Sequence, residues 1–227
     1  MGIESGIDVE EGRFLYDIIA NDTSVKQTLE VGCALGLSAL HICEALKGRE
    51  GCLHQMVDPY QKTEWMNIGL KNLQESGVEY HHLIENKSEL ALPALLSEKE
   101  NTLDFVLVDG WHTFDHTLID CFYATRLLKV GGYLVVDDVH FPAIRQVVDY
   151  LLNYPCYEFF DAVSSVRSVS WFARLKQLVL LIILGKIKSK VISKRFQRNS
   201  NSHVQRMVAF KKIASDDRKW DWHNENF

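Results

Sequence analysis

The chain has no CxxC pair, no GxGxxG loop, no repeat of fixed period and no low-complexity tract. Its five cysteines, Cys33, Cys43, Cys52, Cys121 and Cys156, are scattered and odd in number, and several sit inside apolar runs. That pattern argues against a disulfide framework and suits buried thiols in a reducing, cytoplasmic setting. Proline is scarce, at four residues, and glycine is not in excess at 13, so no stretch reads as a linker. The longest solid apolar run, 178–184, has seven residues, far below the roughly 20 that span a bilayer. MGIESGIDVEEGR at the N-terminus is acidic and lacks an apolar centre, which argues against a secretory leader. Gly2 hints at myristoylation, but Gly6 stands where Ser or Thr is expected, and that reading is set aside.

What is present is a chain of 227 residues, 47% hydrophobic, enough for one large α/β domain. Net charge is −5 and unevenly spread: residues 161–200 carry nine Lys and Arg against one acid, so the remainder holds −13. An acidic body with a basic, apolar insert argues against a nucleic-acid protein.

Periodicity predicts helices over 9–20, 38–46, 63–75, 88–96, 115–128 and 141–152. Trp65, Met66, Leu70 and Leu73 form the expected apolar stripe of the third helix. Leu118, Ile119, Phe122, Leu127 and Leu128 are the expected inward face of the fifth. Strands are expected over 28–32, 52–57, 79–84, 103–108, 133–136, 156–160 and 206–211. The alternation implies right-handed βαβ units and a doubly wound, mostly parallel sheet with helices on both faces. Residues 1–160 would form the core, 161–200 an insert, and 201–227 the last strand and tail. In such sheets ligands bind beyond the carboxyl ends of the strands. Glu30 to Gly36, Asp58, Asp109 to His112 and Asp137-Asp138 should therefore share one rim.

Two segments dominate that rim. LDFVLVDGWH (103–112) and YLVVDDVH (133–140) are buried-strand patterns that both run into carboxylates. Asp109, Asp137 and Asp138 converging there would repel one another, and burying them unpaired would be costly. A divalent cation removes the conflict, and hard oxygen ligands favour Mg²⁺ or Mn²⁺. The bland reading makes Asp137-Asp138 a turn and helix cap. His112 could take a proton near neutral pH, or be a loop histidine packed on Trp111. His81, His82, His116 and His140 lack ligand spacing and read as surface or rim residues. Trp111 and Phe114 either wall a pocket or cap the core.

In E-x-G-x-A-x-G (30–36), Gly32 and Gly36 permit a tight turn and close ligand approach. An acid before the turn suits a cationic or amine ligand better than a pyrophosphate. Asp58, 22 residues after Gly36 at the end of the second strand, is placed for the two hydroxyls of a ribose; Asp-Pro is also a common turn initiator.

Together EVGCALGLSAL, VDPYQ, DFVLVDGWHTFDHTLID and LLKVGGYLVVDDV resemble, in order over roughly residues 28–140, the class I S-adenosylmethionine-dependent methyltransferases. The chain looks most like the metal-dependent O-methyltransferases: the catechol O-methyltransferase type and the group acting on macrolide sugars. The resemblance implies a Rossmann-like, seven-stranded sheet with a last antiparallel strand. Glu30 and Gly32 would then border the methionine end of the cofactor, Gly36 would belong to the same cofactor-binding turn, Asp58 would hold the ribose, and Ser88 would lie near the adenine. Asp109, Asp137 and Asp138 would be metal ligands, with Asp138 where the catechol enzymes have asparagine. His112 stands where those enzymes have a lysine base, in the D-G-x-H pattern of the sugar-modifying relatives. The implied activity is methylation of a hydroxyl on a small molecule such as a sugar or secondary metabolite.

Three rivals stay open: a metal-independent methyltransferase with His112 as sole base, an NAD(P) oxidoreductase, which the missing glycine pattern disfavours, and a non-catalytic membrane-associated module. The insert reads as a buried helix, as a membrane-surface helix over 171–196, as a lid over an apolar substrate, or as a homodimer contact.

Overall fold

The computed structural model describes residues 6–166 and 203–223. The chain divides into two compact units, residues 1–163 with 206–227 and residues 164–205. The second unit, with the expected insert helix over 171–196, lies almost wholly outside the described residues. Among the described residues no helix is long and apolar enough to cross a membrane.

The first unit alternates as the periodicity predicts: α1 (Val9–Ala20), β1 (Gln27–Val31), α2 (Leu37–Leu46), β2 (Leu53–Val57), α3 (Ile68–Glu75), β3 (His81–Ile84), α4 (Ser88–Lys99), β4 (Leu103–Val108), α5 (Phe114–Leu127), β5 (Leu128–Val136), α6 (Pro142–Leu151), β6 (Tyr157–Val166) and β7 (His203–Lys212). The seven strands lie in the order β3-β2-β1-β4-β5-β7-β6. Strand β1 pairs in parallel with β2 and β4, β2 with β3, and β4 with β5, while β7 runs antiparallel to β5. The order reverses between β1 and β4, so the rim at their carboxyl ends is the topological switch point. This is the Rossmann-like, doubly wound α/β sheet expected, with its antiparallel strand between β5 and β6.

Strand β4 is buried at every position, as a central parallel strand with both faces covered must be. On one face Val106, Val108, Leu134 and Val136 pack with Cys121, Ala124 and Val147. Phe105, Leu107, Tyr133 and Val135 meet Leu15, Ile19, Ile42 and Leu46 on the other. Burying a side chain of this size stabilises the fold by about 1.5–3 kcal/mol. Helix α1 begins on a capping box, with Asp8 accepting from the Glu11 N–H at 2.9 Å and Glu11 accepting from the Asp8 N–H at 2.8 Å.

Several expectations need correction. The helix expected over 63–75 starts only at Ile68, because Met66 and Asn67 adopt left-handed φ of 50° and 55° and break the pattern upstream. Met66, expected inside, is 65% exposed. On α5, Ile119 and Phe122 point outward, and the buried face is Thr117, Asp120, Cys121, Ala124, Thr125 and Leu127. Leu128 opens β5, which absorbs Lys129 to Gly132 as an irregularity between the Leu103–Leu128 and Phe105–Tyr133 pairs. Strand β6 runs to Val166, beyond the expected core boundary at 160.

Candidate active site

Backbone bonds carry the ladder past the strand ends and fix the rim. The Gly32 N–H donates to Val57 O at 2.9 Å, the Asp109 N–H to Val31 O at 2.9 Å, and the Asp137 N–H to Val108 O at 3.1 Å. The loops after β1, β4 and β5 therefore sit in register, as the two carboxylate-ended strand patterns suggest.

The glycine turn has a packing reason for its glycines beside the one expected. Gly32 has φ +90°, and a Cβ on it would lie 1.9 Å from the backbone oxygen of Asp109. A Cβ on Gly36, at φ +75°, would meet Gly69 at 3.0 Å. The space left by both missing side chains is filled by the protein's own loops, which pack where a ligand was expected to approach.

Asp58 clamps this turn. Its Oδ2 accepts from the N–H groups of Cys33 at 3.2 Å and Ala34 at 2.9 Å and from Gln61 Nε2 at 3.0 Å, and its Oδ1 accepts from the Tyr60 N–H at 2.8 Å. The carboxylate is thus a turn residue as well as a rim acid, with the free lone-pair capacity for a hydroxyl on Oδ1. Gln61, fully buried, completes the clamp by donating to Ala34 O at 2.8 Å.

Glu30 is fully buried, and both its oxygens are engaged within the protein. The Ser38 hydroxyl donates to Oε1, and Oε2 lies 3.0 Å from His54 Nε2, whose Nδ1 lies 2.9 Å from Thr28 Oγ1. Glu30 therefore acts on the rim through Ser38, in the first turn of α2. Gly36, the N-cap of α2, offers no side chain to that turn, leaving N–H donors for an anionic group.

The acids form a second cluster. Ligand atoms of Asp109, His112 and Asp138 all lie within 4.8 Å of one another. His112 Nε2 is 2.8 Å from Asp138 Oδ2 and 3.9 Å from Asp109 Oδ1. Asp137 stands just behind, buried, its Oδ1 accepting from the Asp138 N–H at 2.6 Å. Burial, with repulsion from Asp138 and Glu30, raises Asp109 to about 7, although His112 works against the rise. Asp137 is raised well above the usual range by burial and by Asp109, Glu11 and Asp138. For Asp138 burial works upward, yet His112, His140 and Arg206 hold it below its ordinary value. This donor set suits a divalent cation: hard oxygens, mutual repulsion that a positive charge would relieve, and an imidazole to one side.

His112 itself is raised to about 10 by the Asp109 carboxylate, 3.9 Å away, and by its close pairing with Asp138. Paired in this way it holds its proton more tightly than a free imidazole, and it serves as a base only after that proton is lost. Its ring stacks on Phe141, with centroids 5.3 Å apart.

Ser88 opens α4 and is nearly buried. Close to it lies Asp120, 1% exposed, raised to about 6 by burial with Ser88 working against the rise. Trp111 and Phe114 part company: Trp111 is 54% exposed at the rim and stacks on His116, while Phe114 packs on the core. His140, read as an ordinary rim residue, has its Nδ1 3.4 Å from Asp138 Oδ1 and so borders the cluster.

Sequence reasoning missed Ser38, His54, Gln61, Glu11, Arg206 and Asp120. His54 and Gln55 break an otherwise apolar strand, and that was the available signal. Arg206 gave none. Its Nε sits 2.7 Å from Glu11 Oε1, and its carbonyl accepts from the Val139 N–H, far away in sequence.

Residues 29–139 match the family described as a methyltransferase domain. No curated protein matches the chain in sequence. Among solved structures, the O-methyltransferase from Bacillus cereus in complex with S-adenosylhomocysteine is 14% identical with a TM-score of 0.66, the match covering 92% of this chain and 84% of that one. The O-methyltransferase TomG from Streptomyces achromogenes, involved in tomaymycin synthesis and bound to S-adenosylmethionine, is 18% identical with a TM-score of 0.61, over 72% and 77%. The methyltransferase PaMTH1 of Podospora anserina, bound to S-adenosylhomocysteine, is 14% identical with a TM-score of 0.59, over 91% and 80%. At these identities the structures speak for the fold, and the family match over the glycine turn and both acid-bearing segments speaks for the class. Residues 29–139 are a methyltransferase domain, and the sheet that carries it is that of the class I S-adenosylmethionine-dependent methyltransferases.

Proposed function

We propose that this enzyme methylates a hydroxyl oxygen of a small molecule with adjacent oxygens, such as a sugar or secondary metabolite, with a divalent cation at the acid cluster. The observation that carries this reading is the convergence of Asp109, His112 and Asp138 on one rim with the glycine turn, with Asp109 and Asp137 pushed up by burial and by repulsion from neighbouring carboxylates. The similar proteins from Bacillus cereus and Streptomyces achromogenes are O-methyltransferases, which favours oxygen as the acceptor atom.

Asp109 and Asp138, with Asp137 behind them, would hold the cation. Mg²⁺ or Mn²⁺ there would supply Lewis acidity for the acceptor hydroxyl. The first turn of α2, with Ser38, receives the amino-acid end of S-adenosylmethionine; Oδ1 of Asp58 takes one ribose hydroxyl, and Ser88 lies at the adenine end. A new oxygen–carbon bond forms as the sulfur–methyl bond breaks, and the hydroxyl proton passes to His112 after His112 has released its own proton to solvent on losing its pairing with Asp138. Rate comes mainly from orientation and electrostatics. Homodimer or membrane-surface contact through 171–196 belongs to the same proposal.

The trio also favours a second arrangement, with His112 Nε2 as third ligand and Asp137 outside it. An imidazole ligand would move preference from Mg²⁺ toward Mn²⁺ or Zn²⁺.

Methyl transfer from labelled S-adenosylmethionine, assayed against catechols, glycosides and polyketides with Mg²⁺, Mn²⁺ or EDTA, tests the reading. Asp109→Ala and Asp137→Ala should abolish transfer while S-adenosylhomocysteine binding largely survives. Activity that persists in EDTA and in both variants would leave a metal-independent methyltransferase. Mn²⁺ or Zn²⁺ binding that collapses in His112→Gln supports the second arrangement, and unchanged binding rejects it.

A further inference from the structure

We infer that His54 is a positioning residue for the cofactor's amino-acid end, acting through Glu30 and Ser38. It lies in the interior of β2, fully buried, and touches neither the rim nor the acid cluster. Its two ring nitrogens bridge Thr28 Oγ1 at 2.9 Å and Glu30 Oε2 at 3.0 Å. The opposite oxygen of Glu30 takes the Ser38 hydroxyl. Thr28, His54, Glu30 and Ser38 thus form one continuous chain from the strand interior to the first turn of α2, and none of them is more than 5% exposed.

The chemistry of Glu30 makes His54 necessary. A carboxylate with no exposed surface needs partners on both oxygens, because a partner lost leaves a buried charged group unsatisfied. Among the described residues no Lys or Arg pairs with Glu30, and His54 is its one basic partner. Without the imidazole, the carboxylate is free to rotate or take a proton, and Ser38 loses its fixed acceptor.

The direction of the Ser38 bond then specifies what the rim offers. A hydroxyl that has given its proton to Glu30 presents only lone pairs on its free side. It suits the ammonium group of the cofactor's amino-acid end, while the open N–H groups of the α2 first turn suit its carboxylate. His54 therefore sets the polarity of that subsite from two side chains away. The inference rests on the cofactor class and is independent of the cation and acceptor readings.

Two ligands separate this role from a merely structural one. S-adenosylhomocysteine carries the amino-acid end; 5′-methylthioadenosine keeps the nucleoside and thioether but lacks it. Calorimetry on the full chain should show His54→Leu weakening S-adenosylhomocysteine by about tenfold or more, while 5′-methylthioadenosine changes less than about twofold. His54→Gln, which restores an N–H near the Nε2 position, should recover most of the loss. Because His54 acts through Ser38, His54→Leu added to Ser38→Ala should weaken binding little beyond Ser38→Ala alone. Equal loss for both ligands, unchanged binding of S-adenosylhomocysteine, or fully additive effects would each overturn the role. Should His54→Leu fail to fold, Thr28→Val, which frees the other ring nitrogen, carries the same two-ligand comparison: about threefold selective weakening supports the chain, and none overturns it.

Discussion

The imidazole of His112 lies 2.8 Å from the Oδ2 of Asp138. The side chain placed where a base is wanted is, in this arrangement, the counter-cation of an acidic cluster. The consequence is a measurable linkage between pH and stability.

His112 is raised from 6.5 to about 10 by the neighbouring carboxylates of Asp109 and Asp138. A group with a raised folded-state pKa gives its full stabilisation below its unfolded value and loses it as pH climbs through the folded one. In EDTA the melting temperature should therefore fall between pH 6.5 and 10. His112→Gln should remove that part of the slope. Differential scanning fluorimetry across a buffer series reads it, and an identical slope in the variant would mean the pair does not form in solution.

Asp120 should behave as a buried acid that resists ionisation. It is raised from 3.8 to about 6, by burial first, and its oxygens have no hydrogen-bond partner among the described residues. Its favourable contribution is complete below pH 3.8 and is lost as pH rises through 6. Asp120→Asn should therefore stabilise the protein at pH 8, by up to about 3 kcal/mol, and change little at pH 4. Urea unfolding at the two pH values distinguishes this from a role that needs the charge.

Two glycines with the same backbone angle should differ sharply. Gly32 and Gly131 have φ of +90° and +91°, but only at Gly32 would a Cβ strike backbone, 1.9 Å from Asp109 O. Gly131→Ala should cost about 1–2 kcal/mol for the left-handed conformation alone. Gly32→Ala adds a collision that must move the Asp109 loop, and should cost more than about 3 kcal/mol. At roughly 2–4 °C of melting temperature per kcal/mol for a chain of this size, scanning calorimetry resolves the two.

Lys212 is 2% exposed and donates to Thr125 O at 2.7 Å, Leu128 O at 2.6 Å and Asn101 Oδ1 at 3.2 Å. It satisfies carbonyls where α5 hands over to β5. Lys212→Met fills similar space but leaves these acceptors dry, and should cost about 2–4 kcal/mol. Guanidinium unfolding checks it; a neutral result would mean water replaces the ammonium.

The alternation of strands and helices, and the strand ends carrying Glu30, Asp58, Asp109 and Asp137, were legible because a parallel sheet writes itself as apolar runs closed by polar residues. Less legible were features that depend on where a side chain turns. Asp58 sits where expected, but whether its oxygens face a ribose or the N–H groups of Cys33 and Ala34 depends on the loop's own path. The break in the third expected helix rests on left-handed φ at Met66 and Asn67, two residues that carry no glycine signal. Nothing local could bring Arg206 onto Glu11, since 195 positions separate them and only the sheet's closing strand joins them.

The backbone bonds from Gly32 to Val57, Asp109 to Val31 and Asp137 to Val108 have a mechanical meaning. They form a seam across four strand ends, so the glycine turn and the loops that carry the acids are one connected edge. A strain introduced at β2 reaches the acids without crossing any side chain. The side chains that border that edge, Trp111, His140 and Phe141, are not tied into it by these backbone bonds and are freer to vary than the acids themselves.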